Sequence, residues 1–122
     1  DTHMLSFEQY RKITSREACP YCGVKRTDDV VFTIDHIVPR NRSLHVAYNL
    51  TYCCKSCNSS KGNDSLLDFK ARSDKFTDKL LNELIREQAE MHGVSEQYLR
   101  EYLEADQNFT QTIKEARRGG DL

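Results

Sequence analysis

The pair Asp35-His36 is the first place in this sequence where the residue types suggest chemistry. The pair closes an apolar stretch, and Pro39 follows shortly after it. A carboxylate is a hard oxygen ligand for Mg²⁺ or Mn²⁺, and the amide oxygen of Asn58 could provide a second one. Imidazole titrates near neutral pH, so His36 could act as a general base toward water. Taken singly, these residues also fit a polar strand end and a helix cap.

Four of the five cysteines form two C-x-x-C pairs, Cys19 with Cys22 and Cys54 with Cys57. Two such pairs can complete the tetrahedral four-thiolate shell that Zn²⁺ prefers, and a closed shell makes the metal structural. Redox chemistry at one pair and buried unliganded thiols are the alternatives, and the second pair favours zinc over both. We interpret Cys53 as a small buried apolar residue, because alternation along a strand points it away from Cys54. It could still compete as a ligand.

Short regular elements must position these residues. Apolar periodicity, β-branched runs and capping residues predict them in the following order. We expect a helix over 5–17 capped by Ser6, a strand over 30–34, a loop over 39–48, a return strand over 49–53, a helix over 55–61 ended by Gly62, and a helix from 64 capped by Asp64. Asp35 and His36 would then lie at the end of the first strand.

Beyond Ser73 the pattern is helical. Apolar residues recur at three- and four-residue spacing up to Gly93, and a second stripe begins after Ser95. A third helix could follow around Phe109. Our preferred interpretation of both stripes is that they are packing surfaces. A homodimer contact or the docking of a larger protein partner is the alternative for the second stripe, which consists of Tyr98, Leu99, Tyr102 and Leu103.

Length and composition favour one globular domain with a helical appendage. The chain has 122 residues, of which 38% are hydrophobic and 30% charged. No apolar run approaches the roughly 20 residues that a membrane helix needs, so we expect no membrane partner and a cytoplasmic location.

Residues 1–3 resemble an expression-vector remnant. We divide the chain into 1–18 with the remnant and the first helix, a core over 19–72, and a helical extension over 73–122.

Charge is distributed unevenly along the chain. Residues 1–62 contain nine Lys and Arg against six Asp and Glu, which gives +3, whereas residues 63–122 contain nine against thirteen, which gives −4. A surface that binds phosphates therefore belongs to the first half of the chain.

Three segments together resemble a known family. They read C-P-Y-C-G from Cys19, I-D-H-I-V-P-R from Ile34, and N-L-T-Y-C-C-K-S-C-N-S-S-K-G from Asn49. In order and spacing they resemble the HNH endonucleases, the zinc-stapled branch of the ββα-metal nucleases. The resemblance runs from Cys19 to about Phe69. It implies an α+β fold with a ββα-metal (HNH, His-Me finger) core, a structural zinc on four cysteines, an N-terminal helix and a C-terminal helical extension.

The resemblance also implies roles for individual residues. His36 would be the general base, and Asp35 with Asn58 would hold one catalytic Mg²⁺ or Mn²⁺. Asn49 would orient the loop and the base rather than bind metal. The chain would be a metal-dependent DNA endonuclease that nicks one strand per active site. The third motif residue is Asn58 where other members have histidine, which favours a hard metal ion.

Three basic residues are candidates for contact with DNA phosphates. They are Arg40, Arg42 and Lys61. His45 lies in the same loop as the two arginines, and we interpret it as a loop residue rather than a ligand.

Two other classes of protein are compatible with part of this pattern. A non-catalytic zinc module that binds nucleic acid or protein would keep the four cysteines but would not need Asp35, His36 and Asn58 together. A thiol redox protein would use one C-x-x-C pair reversibly.

Overall fold

A computed structural model describes residues 5–43 and 46–120 of the chain. The α+β class predicted from the sequence is confirmed. The proposed vector remnant and His45 lie outside the described residues. The elements are α1 (Phe7–Thr14), β1 (Phe32–His36), β2 (Leu50–Cys54), α2 (Lys55–Lys61), α3 (Leu66–Arg72), α4 (Asp78–His92) and α5 (Glu96–Arg118), with 3-10 turns at Arg40–Arg42 and Ala47–Asn49.

The two strands form an antiparallel ribbon in which Asp35 pairs with Thr51 and His36 pairs with Leu50. Helix α2 begins at the residue after β2 and packs against both strands, which completes a ββα unit. Strand β1 starts two residues later than the β-branched run predicts. The carbonyl of Val31 accepts a hydrogen bond from the backbone of Lys55 outside the paired strands, at 2.8 Å. Strand β1 also ends two residues later than predicted, so Asp35 and His36 are its last two residues and do not follow it.

Helix boundaries follow local capping. Ser6 caps α1 through a reciprocal capping box with Gln9, as expected for this residue pair. The prediction for α3 was wrong by one residue, because Ser65 rather than Asp64 is the cap. The Ser65 hydroxyl accepts from the backbone of Asp68 at 3.1 Å, whereas the Asp64 carboxylate accepts from the Arg72 side chain.

The C-terminal extension contains two long helices rather than three. Helix α4 ends at Gly93, whose left-handed backbone (φ 68°) terminates it as predicted. Helix α5 then continues for 23 residues without a break. Its buried face holds Asp106 and Thr110 below two leucines, so the apolar stripe stops although the helix does not.

One hydrophobic core runs through the ββα unit and both long helices. Tyr21 lies at its centre, with its ring 5.8 Å from that of Phe69 and 5.2 Å from that of Phe76. Leu99 and Leu103 of α5 are buried in the same core. These two leucines therefore pack inside the chain and are not available as a docking surface. Among the described residues, no helix combines the length and apolarity required to span a membrane.

Candidate active site and metal centre

The four cysteines of the two C-x-x-C pairs meet at one point. Their sulfur atoms lie within 4.8 Å of one another, and the sulfurs of Cys22 and Cys54 are 3.8 Å apart. A tetrahedron with Zn–S bonds of about 2.3 Å has sulfur separations of roughly 3.8 Å, so the cluster fits a zinc ion. Cys53 is fully buried and lies outside this cluster, as its strand position predicts.

Each pair also shows the backbone geometry of a thiolate-binding turn. The amide of Tyr21 points at the sulfur of Cys19, and the amide of Cys57 points at the sulfur of Cys54, both at 3.4 Å. Gly23 closes the first turn with φ 80°. Burial raises the pKa of Cys19 to about 11, so a metal ion that binds this sulfur would replace its proton.

The carboxylate of Asp35 is buried beneath the zinc-binding turn. The hydroxyl of Tyr21 donates a hydrogen bond of 2.6 Å to Oδ2 of Asp35. Burial, with the negative charge of Asp35 nearby, raises the pKa of Tyr21 well above its usual range, so this hydroxyl keeps its proton. The residue between the two zinc-binding cysteines therefore contacts the acid that the sequence assigns to catalysis.

The second partner of Asp35 is Lys61, the last residue of α2. Its Nζ lies 3.2 Å from Oδ2 and 3.4 Å from Oδ1 of Asp35, and donates to the carbonyl of His36 at 2.9 Å. The Lys61 side chain is only 1% exposed. The ammonium group of Lys61 therefore belongs to a buried ion pair in this structure, and its expected contact with a DNA phosphate stays a prediction.

Asn58 lies on the same helix, three residues before Lys61. Its amide group donates a hydrogen bond of 2.8 Å to the hydroxyl of Thr33. Thr33 and Asp35 are two residues apart on β1 and so share a face of the ribbon. Helix α2 thus carries Asn58 and Lys61 across the strand face that presents Asp35. Within residues 5–43 and 46–120, the amide oxygen of Asn58 accepts no hydrogen bond and could serve as a ligand.

Asn49 holds the segment that follows the histidine. Its side-chain oxygen accepts from the amide of Val38 at 2.8 Å, and its side-chain nitrogen donates to the carbonyl of Val38 at 3.1 Å. Its own carbonyl accepts from the amide of Ile37. The side chain is completely buried. Asn49 therefore fixes the two residues after His36, whose own side chain is half-buried.

The two arginines of the first 3-10 turn differ in their surroundings. Arg42 forms a bidentate ion pair with Asp106 of α5, at 2.8 and 3.2 Å, and donates to the carbonyl of Asn63. Its side chain is 11% exposed and paired with Asp106, and the phosphate contact expected of Arg42 also stays a prediction. Arg40 is exposed and forms no salt bridge within the described part of the chain.

Two buried polar residues that contact the segment between β1 and β2 were not predicted from the sequence. Gln88 of α4 is buried and donates to the carbonyls of Tyr48 and Leu50, at 3.2 and 2.8 Å. Asp106 of α5 holds Arg42. Each is a polar residue inside an apolar helical stripe, which is the signal that could have identified it.

Comparison with known proteins confirms the resemblance. Residues 19–64 match the family model of the HNH endonucleases. The matched segment includes the four clustered cysteines and the residues on β1 and α2 described above. No curated protein and no solved structure gives a significant match to the chain. The ββα unit of this chain thus lies within the segment that matches the HNH endonuclease family, whose name indicates a nuclease-type activity.

The donor atoms near β1 and α2 suit a hard divalent cation. Asp35 offers a carboxylate and Asn58 an amide oxygen, which are the ligand types that Mg²⁺ and Mn²⁺ prefer. The carboxylate of Asp35 already binds a cation, the ammonium group of Lys61. The donor types of the site therefore fit a divalent ion. In this structure the positive charge beside Asp35 is the ammonium group of Lys61.

Proposed function

We propose that the chain is a metal-dependent DNA endonuclease that hydrolyses phosphodiester bonds and cuts one strand per active site. The observation that carries the proposal is the family match over His36, Asn49 and Asn58. These three residues lie at the end of β1, directly before β2 and on α2. DNA as the substrate rests on the resemblance to the HNH endonucleases.

His36 acts as the general base in this mechanism. It removes a proton from water as the water oxygen attacks phosphorus, and the bond from phosphorus to the sugar oxygen breaks with its electron pair on that oxygen. Asn49 fixes Val38 through two hydrogen bonds and so restricts the backbone that follows the base. Asp35 and Asn58 would hold Mg²⁺ or Mn²⁺, which supplies positive charge to the phosphate. Exposed Arg40 would contact a neighbouring phosphate.

A nicking assay with supercoiled plasmid tests the proposal. The zinc-loaded protein is expected to nick plasmid in Mg²⁺ or Mn²⁺, and EDTA is expected to stop the reaction. Replacement His36→Ala should lower the rate on the order of 10²- to 10⁴-fold, because a positioned general base contributes that much. Each preparation is compared at equal zinc content, so that loss of fold is not mistaken for loss of the base.

A matched histidine serves as the control. His92 lies at the end of α4, and its Nε2 has no hydrogen-bond partner among the residues that the structure describes. His92→Gln should leave nicking unchanged. Full activity in zinc-loaded His36→Ala would reject the mechanism. Absence of nicking in wild-type protein that still binds DNA would favour a non-catalytic zinc module.

A further inference from the structure

Lys61 is an unusual residue to find at a cation site. Its side chain is 1% exposed, and its ammonium group contacts both carboxylate oxygens of Asp35 and the carbonyl of His36. Lysine is rarely buried unless it is paired, because removing its charge from water is costly. Here the pairing partner is the acid that would hold the divalent cation under the proposed function.

A divalent ion and this ammonium group cannot both occupy the carboxylate in the arrangement observed. Oδ2 of Asp35 accepts from Tyr21 and lies 3.2 Å from Nζ of Lys61, which donates to Oδ1 at 3.4 Å. A divalent cation on the same carboxylate would meet a like charge a few ångströms away in surroundings that screen charge poorly. The ammonium group must therefore leave before the ion binds directly.

We propose that Lys61 is an internal competitor for the divalent-cation site at Asp35. The inference rests on the proposed function in assigning Asp35 as the cation ligand. In the state observed here the ammonium group neutralises the buried carboxylate. Divalent cations bind only after it withdraws, so the affinity of the site is held below what Asp35 and Asn58 alone would provide. Lys61 thereby sets the cation concentration at which the site is loaded.

The geometry provides for such a withdrawal. Lys61 is the last residue of α2, and Gly62 follows with φ 52°. Its flexible four-carbon stem lets the charged end move while the helix stays on the ribbon. The carbonyl of His36 is a second partner at 2.9 Å and can retain the ammonium group when Asp35 is taken by a metal ion.

Binding of Mn²⁺, followed by the electron paramagnetic resonance signal of the free ion, tests the inference without DNA. Zinc-loaded wild type is compared with Lys61→Met, which keeps the aliphatic stem and removes the charge. The dissociation constant for Mn²⁺ should fall about tenfold or more, because one repelling charge is gone. Lys61→Gln, which keeps a donor for His36, should change the constant in the same direction.

Two control variants test whether the change in Mn²⁺ affinity arises at Asp35. Lys55 is an exposed lysine at the start of the same helix, so Lys55→Met removes the same charge from α2 without touching Asp35. It should leave Mn²⁺ affinity unchanged within about twofold, since exposed charges are well screened. Adding Asp35→Asn to Lys61→Met should abolish the gain in affinity.

A measurement on the wild-type protein complements the variants. If Mg²⁺ displaces the ammonium group, acetylation of Lys61 by an amine-reactive reagent should accelerate as Mg²⁺ is added. Peptide mass spectrometry follows the reaction, with Lys55 as the internal reference. This experiment does not depend on whether a substituted protein folds. A rate for Lys61 that is independent of Mg²⁺ would contradict competition.

Failure of the inference and failure of the proposed function are distinguishable. Unchanged, weaker or undetectable Mn²⁺ binding in Lys61→Met would overturn competition, even if the wild type nicks plasmid. Tighter Mn²⁺ binding that depends on Asp35 would support competition, even if the wild type fails to nick. In that second case the endonuclease proposal would fall alone.

Discussion

Tyr21 belongs both to the zinc-binding turn and to the candidate active site. Its ring packs against Phe69 and Phe76 in the core, and its hydroxyl donates to Asp35 at 2.6 Å. Because the pKa of the hydroxyl is raised by burial, the group is a donor throughout the physiological pH range. A residue flanked by two zinc ligands thereby orients the acid on β1.

Replacement Tyr21→Phe isolates this hydrogen bond, because the ring and its packing remain. The carboxylate loses a charge-assisted partner in a buried position, so the free energy of unfolding should fall by about 1–3 kcal/mol. Urea denaturation at equal zinc content measures the change. Tyr10→Phe at a half-exposed site on α1 is the control and should change stability by less than about 0.5 kcal/mol. Equal stability of Tyr21→Phe and wild type would show that the bond contributes nothing in solution.

At the scale of elements, the long helices are attached to the ββα unit through polar side chains as well as the core. Arg42 in the first 3-10 turn pairs with Asp106 of α5, and Gln88 of α4 donates to the carbonyl of Leu50 in β2. The first contact reaches the connection that links β1 to β2, and the second reaches the first residue of β2. The extension therefore helps to hold the chain segment beside His36 in place.

A double-mutant cycle measures the energy of the ion pair between Arg42 and Asp106. Arg42→Met or Asp106→Leu alone leaves a nearly buried charge unpaired, which should cost about 3–5 kcal/mol. The double replacement should cost less than the sum of the two, because no charge is then left unpaired. Denaturation of the four proteins gives the coupling energy.

Arg40→Met provides the comparison for that cycle. Arg40 lies in the same 3-10 turn but is exposed, so its replacement should change stability by less than about 0.5 kcal/mol. Additive losses from Arg42→Met and Asp106→Leu would mean that the ion pair is not formed in solution.

For the whole molecule, the cysteine cluster joins segments that are distant in sequence. Cys19 and Cys22 lie before β1, and Cys54 and Cys57 lie at the junction of β2 and α2. Zinc on these sulfurs would tie both strands and the helix at one end of the ribbon. The core that begins at Tyr21 continues through α4 and α5, so loss of the metal should disturb the entire chain.

Zinc content of two cysteine variants tests this arrangement. Cys22→Ser removes a ligand, so it should lose zinc and lower the melting temperature, because the binding energy of a structural zinc is part of the folding energy. Cys53→Ala removes a buried sulfur outside the cluster and should keep its zinc. Metal analysis and circular dichroism measure both effects. Loss of zinc from Cys53→Ala, or its retention in Cys22→Ser, would contradict the four-cysteine assignment.

The sequence by itself determined the features that depend on neighbouring residues. Two C-x-x-C turns, the order of the HNH segments, a strand that brings Asp35-His36 to its end within two residues, and the stop at Gly93 were all predictable. Each follows from short-range backbone preferences or from the fixed spacing of ligands in a turn. Cys53 could be separated from the four ligands for the same reason, since strand alternation is local.

Only the tertiary structure decided where the long charged side chains go. Lys61 and Arg42 were expected at DNA phosphates, but they pair with Asp35 and Asp106, 26 and 64 residues away in sequence. A long flexible side chain can reach several opposite charges, and the fold rather than any neighbouring residue decides which of them lies within its range. The tertiary packing therefore decides that Asp35 pairs with Lys61 and that Asp106 pairs with Arg42.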